Sequence, residues 1–142
     1  MIKAKTIIER HGFLDPDRCK SIHDEIQVWV FKNFKSILES VYPNCQVPDS
    51  FSLELEHAIM NGKYVVGFID VYCSTFSVGV EIKTSIPLLG ELIRQIHFYS
   101  KYSNISKWIV VSPDDHFATL LGDQKIHFLK YQKSISDLPL FG

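Results

Sequence analysis

Residues 62–85, GKYVVGFIDVYCSTFSVGVEIKTS, decide how the chain is read. Two apolar runs flank a short polar turn, which is the pattern of a β-hairpin. Within the runs stand three charges, Asp70, Glu81 and Lys83. A charge in a strand this apolar is strongly unfavourable unless it is paired or bound to a metal. A turn centred between Thr75 and Phe76 sets Cys73 opposite Val78 and Asp70 opposite Glu81. Directly opposed residues share a sheet face with Cβ atoms roughly 5 Å apart. Lys83, two positions beyond Glu81, joins them on that face. Two carboxylates so close repel each other unless a cation lies between them. Oxygen ligands with a hydrated open side suit Mg²⁺ or Mn²⁺. A lysine beside such an ion positions a water or neutralises charge growing on a phosphate. The plainer alternative is a salt-bridged triad on an exposed sheet face. Three features weigh against it: Gly67 allows close backbone approach, the charges are flanked by Val, Ile and Phe, and Gln95 and Tyr99 share a face of the next helix.

Outward from the hairpin, the rest of the chain falls into regular elements. Residues 15–43, DPDRCKSIHDEIQVWVFKNFKSILESVYP, predict one long helix, with Asp15 as N-cap, Pro16 in the first position and Pro43 as the stop. Ile22, Ile26, Trp29, Val30, Ile37 and Val41 recur at helical spacing, and residues 3–12 predict a short helix before it. FSLELEHAIM, 51–60, alternates as a strand and runs into Asn61-Gly62, a strong hairpin signal. A two-residue Asn-Gly loop would place Leu53 opposite Asp70 and His57 on the face of the charges. A three-residue loop would bring Glu54 and Glu56 there instead, because a slip of one flips the strand. SIPLLGELIRQIHFYSKYS, 85–103, predicts a helix capped by Ser85 with Pro87 in its first turn. KWIVVS, 107–112, is a short buried strand, followed by a short helix over 113–122 and a last strand over 125–131. The order is α, β, β, β, α, β with an αβ extension. It predicts an α/β (α+β) mixed sheet flanked by helices, in one domain spanning residues 1–142.

GFID at 67–70, VEIKTS at 80–85 and QIHFY at 95–99 together resemble the PD-(D/E)XK nuclease superfamily. The pattern is most similar to the RecB-type and lambda-exonuclease-type branch, which has a Gln-xxx-Tyr helix. The resemblance covers about residues 16–112 and includes the αβββαβ order. It implies a restriction-endonuclease-like fold and metal-dependent hydrolysis of phosphodiester bonds, most readily in DNA. It implies that Asp70, Glu81 and the backbone carbonyl of Ile82 hold Mg²⁺ or Mn²⁺, that Lys83 orients water or stabilises the transition state, and that Gln95 and Tyr99 contact the substrate backbone or brace the site. Family members often add an acid from the first helix, for which Glu25 is the candidate and Asp24 and Glu39 compete. Ile69 stands where the family's name has Pro, and the iron–sulfur cysteines of some RecB-like members are absent.

A chain of this size has no room for an ATPase or a large recognition domain, which points to a small endonuclease of restriction, homing or junction-resolving type. Cutting both strands takes two active sites, so a homodimer or higher homo-oligomer is expected. A non-catalytic nucleic-acid-binding or assembly subunit of the same fold is the rival.

Composition bounds these readings. The net charge of −1 does not by itself advertise a polyanion partner. Phosphate contacts would therefore come from a local basic face, drawn from Lys3, Lys5, Arg10, Arg18, Lys20, Lys32 and Lys35, with His97 beside Arg94 and Lys101 as a further possibility. Cys19, Cys45 and Cys73 are odd in number and far apart, against a zinc ribbon or a disulfide scaffold. No apolar run approaches the ~20 residues that span a bilayer. Charges interleave the N-terminal residues too closely for a secretory signal, so a cytoplasmic protein with no membrane partner is expected. Trp29 and Trp108 are expected in the core.

Overall fold

Ser21 opens the first helix. Its hydroxyl accepts the N–H of Asp24 at 3.1 Å, a side-chain cap on a free helical donor. The computed structural model describes residues 21–132. The expected cap at Asp15, the short helix over 3–12, Cys19 and the basic residues Lys3, Lys5, Arg10, Arg18 and Lys20 lie outside the described residues.

The single long helix expected from the spacing is two: α1, Ile22–Lys32, and α2, Phe34–Val41. The break falls at Asn33. Both its backbone N–H and its side-chain amide donate to the carbonyl of Trp29, at 3.0 and 2.9 Å. An amide side chain that competes for the helix's own acceptor favours such an interruption. Tyr42 ends α2, one residue before Pro43.

Five strands follow as one sheet: β1, Glu54–Asn61; β2, Tyr64–Cys73; β3, Val78–Ile82; β4, Lys107–Ser112; and β5, His127–Lys130. Their order is sequential; β1–β2 and β2–β3 are antiparallel, β3–β4 and β4–β5 parallel. Helix α3, Leu89–Lys101, joins β3 to β4, and α4, Ala118–Asp123, joins β4 to β5. The α+β mixed sheet flanked by helices is the architecture expected. Among the described residues no helix is long and apolar enough to cross a membrane.

Two apolar layers sandwich the sheet. On one face Ile26, Val30, Phe34 and Leu38 of α1 and α2 cover Leu55, Val71, Val80, Ile82 and Val111. On the other, Leu92, Ile96 and Tyr99 of α3 cover Ile59, Ile69, Trp108 and Val110. Each such fully buried aliphatic side chain contributes roughly 1.5–3 kcal/mol. Trp108 is buried as expected; Trp29 is half-buried and meets Tyr131 edge-on.

The first hairpin departs from both registers considered. Asn61 stays in its strand and pairs with Tyr64, so Gly62, at φ +59, and Lys63 form the turn. The register then shifts between Ile59 and Met60, and Leu55 pairs with Val71. Glu56, not Leu53, therefore takes the place across from Asp70. Glu56 has φ +53, a left-handed conformation that interrupts strand alternation. The consequence is visible on both strands: Leu55 and Val71 pack toward α1, whereas Ile59 and Ile69 pack toward α3. The hairpin changes faces at Asp70.

The third helix also starts later than its sequence signals. Leu88 is its N-cap, not Ser85. The N–H of Ile86 donates to Asp114 at 2.7 Å, which ties the irregular segment 85–88 to the loop after β4.

Candidate functional site

The second hairpin has the expected turn. Cys73 pairs with Val78, Tyr72 with Gly79 and Val71 with Val80, around a loop of residues 74–77. There the ladder stops, one step before Asp70 and Glu81. In place of another backbone bond, Oδ2 of Asp70 accepts the N–H of Ile82 at 2.8 Å. Its Oδ1 lies 3.0 Å from Nε2 of His23, and its backbone carbonyl accepts Nε2 of Gln27 at 2.9 Å. Asp70 is thus anchored to β3 on one side and to α1 on the other.

Glu81 comes from a strand whose five residues are all buried. Its side chain is 3% exposed, its Oε1 has no hydrogen-bond partner, and its Oε2 lies 3.8 Å from Nζ of Lys83. That separation makes an ion pair rather than a hydrogen bond. Burial pushes the Glu81 carboxyl well above its ordinary range, and the neighbouring charge of Asp70 pushes it further; Lys83 opposes both. An orphaned carboxylate oxygen facing a second acid is expensive, and a bound cation is one way to relieve it. The carbonyl of Ile82 ends the same strand. The donor set of Asp70, Glu81 and that carbonyl is all oxygen, the chemistry that suits Mg²⁺ or Mn²⁺. Among the described residues no group of three or more His, Cys, Asp and Glu side chains is gathered closely enough to hold an ion.

Lys83 leaves β3 with its N–H bound to the carbonyl of Val111 at 3.0 Å. Its side chain, 30% exposed, lines an open cleft of about 440 Å³ between residues 83–88 and the start of α3. Gln95 lines the same cleft, and its Nε2 donates to the hydroxyl of Tyr99 at 3.1 Å. Tyr99 is buried and lies across Gly67; a Cβ there would fall 2.4 Å from the tyrosine ring. Burial raises the Tyr99 pKa first, the charges of Glu81 and Asp70 raise it further, and hydrogen bonds from Gln95 and the Phe68 backbone hold it down. Of the two roles implied for Gln95 and Tyr99, this arrangement favours bracing.

Glu25 is placed elsewhere. Its Oε2 accepts the hydroxyl of Tyr131 at 3.0 Å. His23 and Gln27, one turn apart, share the face of α1 that reaches Asp70, and position 25 lies about 200° round from each. Asp24 Oδ1 lies 3.7 Å from Nδ1 of His23, on the far side of that ring from Asp70. Glu39 is exposed on α2. The residue that sequence reasoning missed is His23, half-buried, with its Nε2 turned to Asp70. Burial lowers its pKa, but the bond to Asp70 outweighs this and the net shift is upward. The available signal was the polar pair His23 and Gln27 at a spacing of four on an otherwise apolar face.

His57 stacks on Tyr72 with ring centroids 4.2 Å apart, and its Nδ1 lies 2.6 Å from Oε2 of Glu54. Its neighbour Glu54, awkward in a central strand, belongs to β1 at the edge of the sheet. Arg94, His97 and Lys101 are exposed on α3, and Lys35 pairs with Asp49 at 2.6 Å. Cys73 is buried and Cys45 half-buried, both free thiols. Comparison with protein-family models, with curated proteins and with solved structures gave no match to this chain.

Proposed function

We propose that the protein is a metal-dependent nuclease of the PD-(D/E)XK type that hydrolyses phosphodiester bonds in DNA, working as a small endonuclease in a homodimer or higher oligomer. One observation carries the reading: Glu81 is buried with an unpartnered oxygen, beside Asp70 and within 3.8 Å of the Lys83 amine. Asp70, Glu81 and the Ile82 carbonyl would hold Mg²⁺ or Mn²⁺, and both His23 and Gln27 of α1, each hydrogen-bonded to Asp70, are near enough to join them. The ion, when bound, supplies an activated water and neutralises charge on the phosphate. Lys83 orients that water at the mouth of the cleft and offsets charge developing on the phosphoryl oxygens. Gln27 and the Ile82 N–H hold Asp70 in place, while Gln95 and Tyr99 buttress the strand that carries it.

The test is cleavage of linear, circular, single-stranded and branched DNA with Mg²⁺ or Mn²⁺. Asp70→Ala, Glu81→Ala and Lys83→Ala are each expected to lower the rate at least about a hundredfold. Intact cleavage in all three variants rules the reading out. The non-catalytic alternative is favoured by one specific observation: both oxygens of Asp70 already have protein partners. Calorimetry separates the two, since absence of heat at millimolar Mn²⁺ leaves only the binding or assembly role.

A further inference from the structure

The cleft of about 440 Å³ beside Lys83 has two walls of different kinds. One is α3, which presents Glu91, Leu92 and Gln95. The other is the irregular stretch 83–88, between the end of β3 and the start of that helix. A helix holds its shape through its own hydrogen bonds, an irregular stretch only through its anchors.

Two N–H groups anchor the irregular wall to the sheet. That of Lys83 donates to the carbonyl of Val111 at 3.0 Å and continues the β3–β4 pairing. That of Ile86 donates to Oδ2 of Asp114 at 2.7 Å, a side chain just beyond the end of β4. Asp114 is itself well mounted. Its N–H donates to the hydroxyl of the buried Ser112 at 3.0 Å, and its Oδ1 accepts the N–H of His116 at 3.2 Å. The ring of His116, 81% exposed, meets the same oxygen. The bonds from Ile86 and then from His116 hold the Asp114 carboxyl below its ordinary range, so it is charged at neutral pH.

We propose that Asp114 is a positioning residue for substrate, a latch that keeps the irregular wall of the cleft in the conformation that receives the strand beside Lys83. The inference rests on the nuclease reading and adds a residue to it. The two anchors divide the work. Lys83 has its own bond to Val111, so releasing Ile86 leaves the amine and the metal ligands in place and weakens only the grip on substrate.

Charge alone argues for the opposite sign. An anion beside a cleft that takes a polyanion repels it, so removing the carboxylate for its charge strengthens binding. Losing the latch weakens it. Asp114→Ala and Asp114→Asn remove the same charge, but Asn keeps an oxygen that accepts the Ile86 N–H. The difference between the two variants therefore isolates the latch.

The experiment measures affinity for single-stranded and duplex DNA by fluorescence anisotropy, the cleavage rate at saturating DNA, and Mn²⁺ affinity by calorimetry. Asp114→Ala is expected to bind DNA about fivefold more weakly than Asp114→Asn, the worth of one hydrogen bond. Asp114→Asn should bind at least as well as the unaltered protein. Saturating rate and Mn²⁺ affinity should be unchanged in both, the pattern of a lost binding contact. If Asp114→Ala does not fold, Asp114→Ser replaces it, since its hydroxyl still serves the His116 N–H but falls one atom short of Ile86. Equal DNA binding by the Ala and Asn variants overturns the proposal. So does a loss of saturating rate or of Mn²⁺ binding in Asp114→Ala, which marks a structural fault reaching the metal site. A protein that binds DNA without cutting it overturns the nuclease, and the Ala–Asn difference still decides the latch. One that binds no DNA overturns both.

Discussion

Glu81 carries a consequence that can be measured without any substrate. Its carboxyl is raised by burial and by Asp70, so the metal-free folded chain holds a proton that the unfolded chain releases. The stability this contributes is complete below the ordinary value of 4.5 and is lost as pH rises through the raised one. Replacing Glu81 by the uncharged Gln removes that loss. In chelator, Glu81→Gln is expected to be more stable at neutral pH by about 1–2 kcal/mol, with a flatter dependence on pH. Urea unfolding across a pH series checks it, and a destabilised variant would mean that Lys83 already satisfies the carboxylate. The sequence made Asp70, Glu81 and Lys83 visible because their charges interrupt apolar strands. His23 stayed hidden because its partner is 47 residues away and no local pattern joins them.

At the scale of elements, Gly67 ties β2 to α3. The space that a side chain would need there is filled by the ring of Tyr99. Gly67→Ala is expected to displace the ring, break the Gln95–Tyr99 bond and cost about 1–3 kcal/mol. Thermal unfolding measures the cost, and tyrosine fluorescence or NMR shifts show whether the ring has moved. An undisturbed Tyr99 would mean that β2 yields instead. Element order and the Cys73–Val78 pairing were legible because apolar periodicity and a symmetric turn are local properties. The first hairpin was not. Its register depends on the shift between Ile59 and Met60 and on the left-handed Glu56, neither of which Asn61-Gly62 announces. Asn33 broke the first helix for a similar reason: its apolar spacing continues unbroken while the side chain competes for a carbonyl.

For the whole molecule, two helical layers leave the Asp70 site near the end of β3, where the sheet changes from antiparallel to parallel pairing. With one such site among the described residues, the proposed double-strand cutting would require two chains. Sedimentation on a duplex is expected to show a dimer or larger species, and a monomer on DNA removes double-strand cutting from the reading. The sheet also contains its own indicator of what happens at the site. Where β2 and β3 part, the amide of Ile82 is held by the Asp70 carboxylate and not by a backbone carbonyl. Its protection against solvent deuterium therefore depends on one side chain, whereas that of the ladder amides depends on the whole sheet. Drawing Asp70 toward a cation should speed exchange at Ile82 while leaving the amides of the β2–β3 ladder unchanged. Exchange followed by NMR with and without Mg²⁺ would register occupancy of the site from a single amide, before any nucleic acid is added.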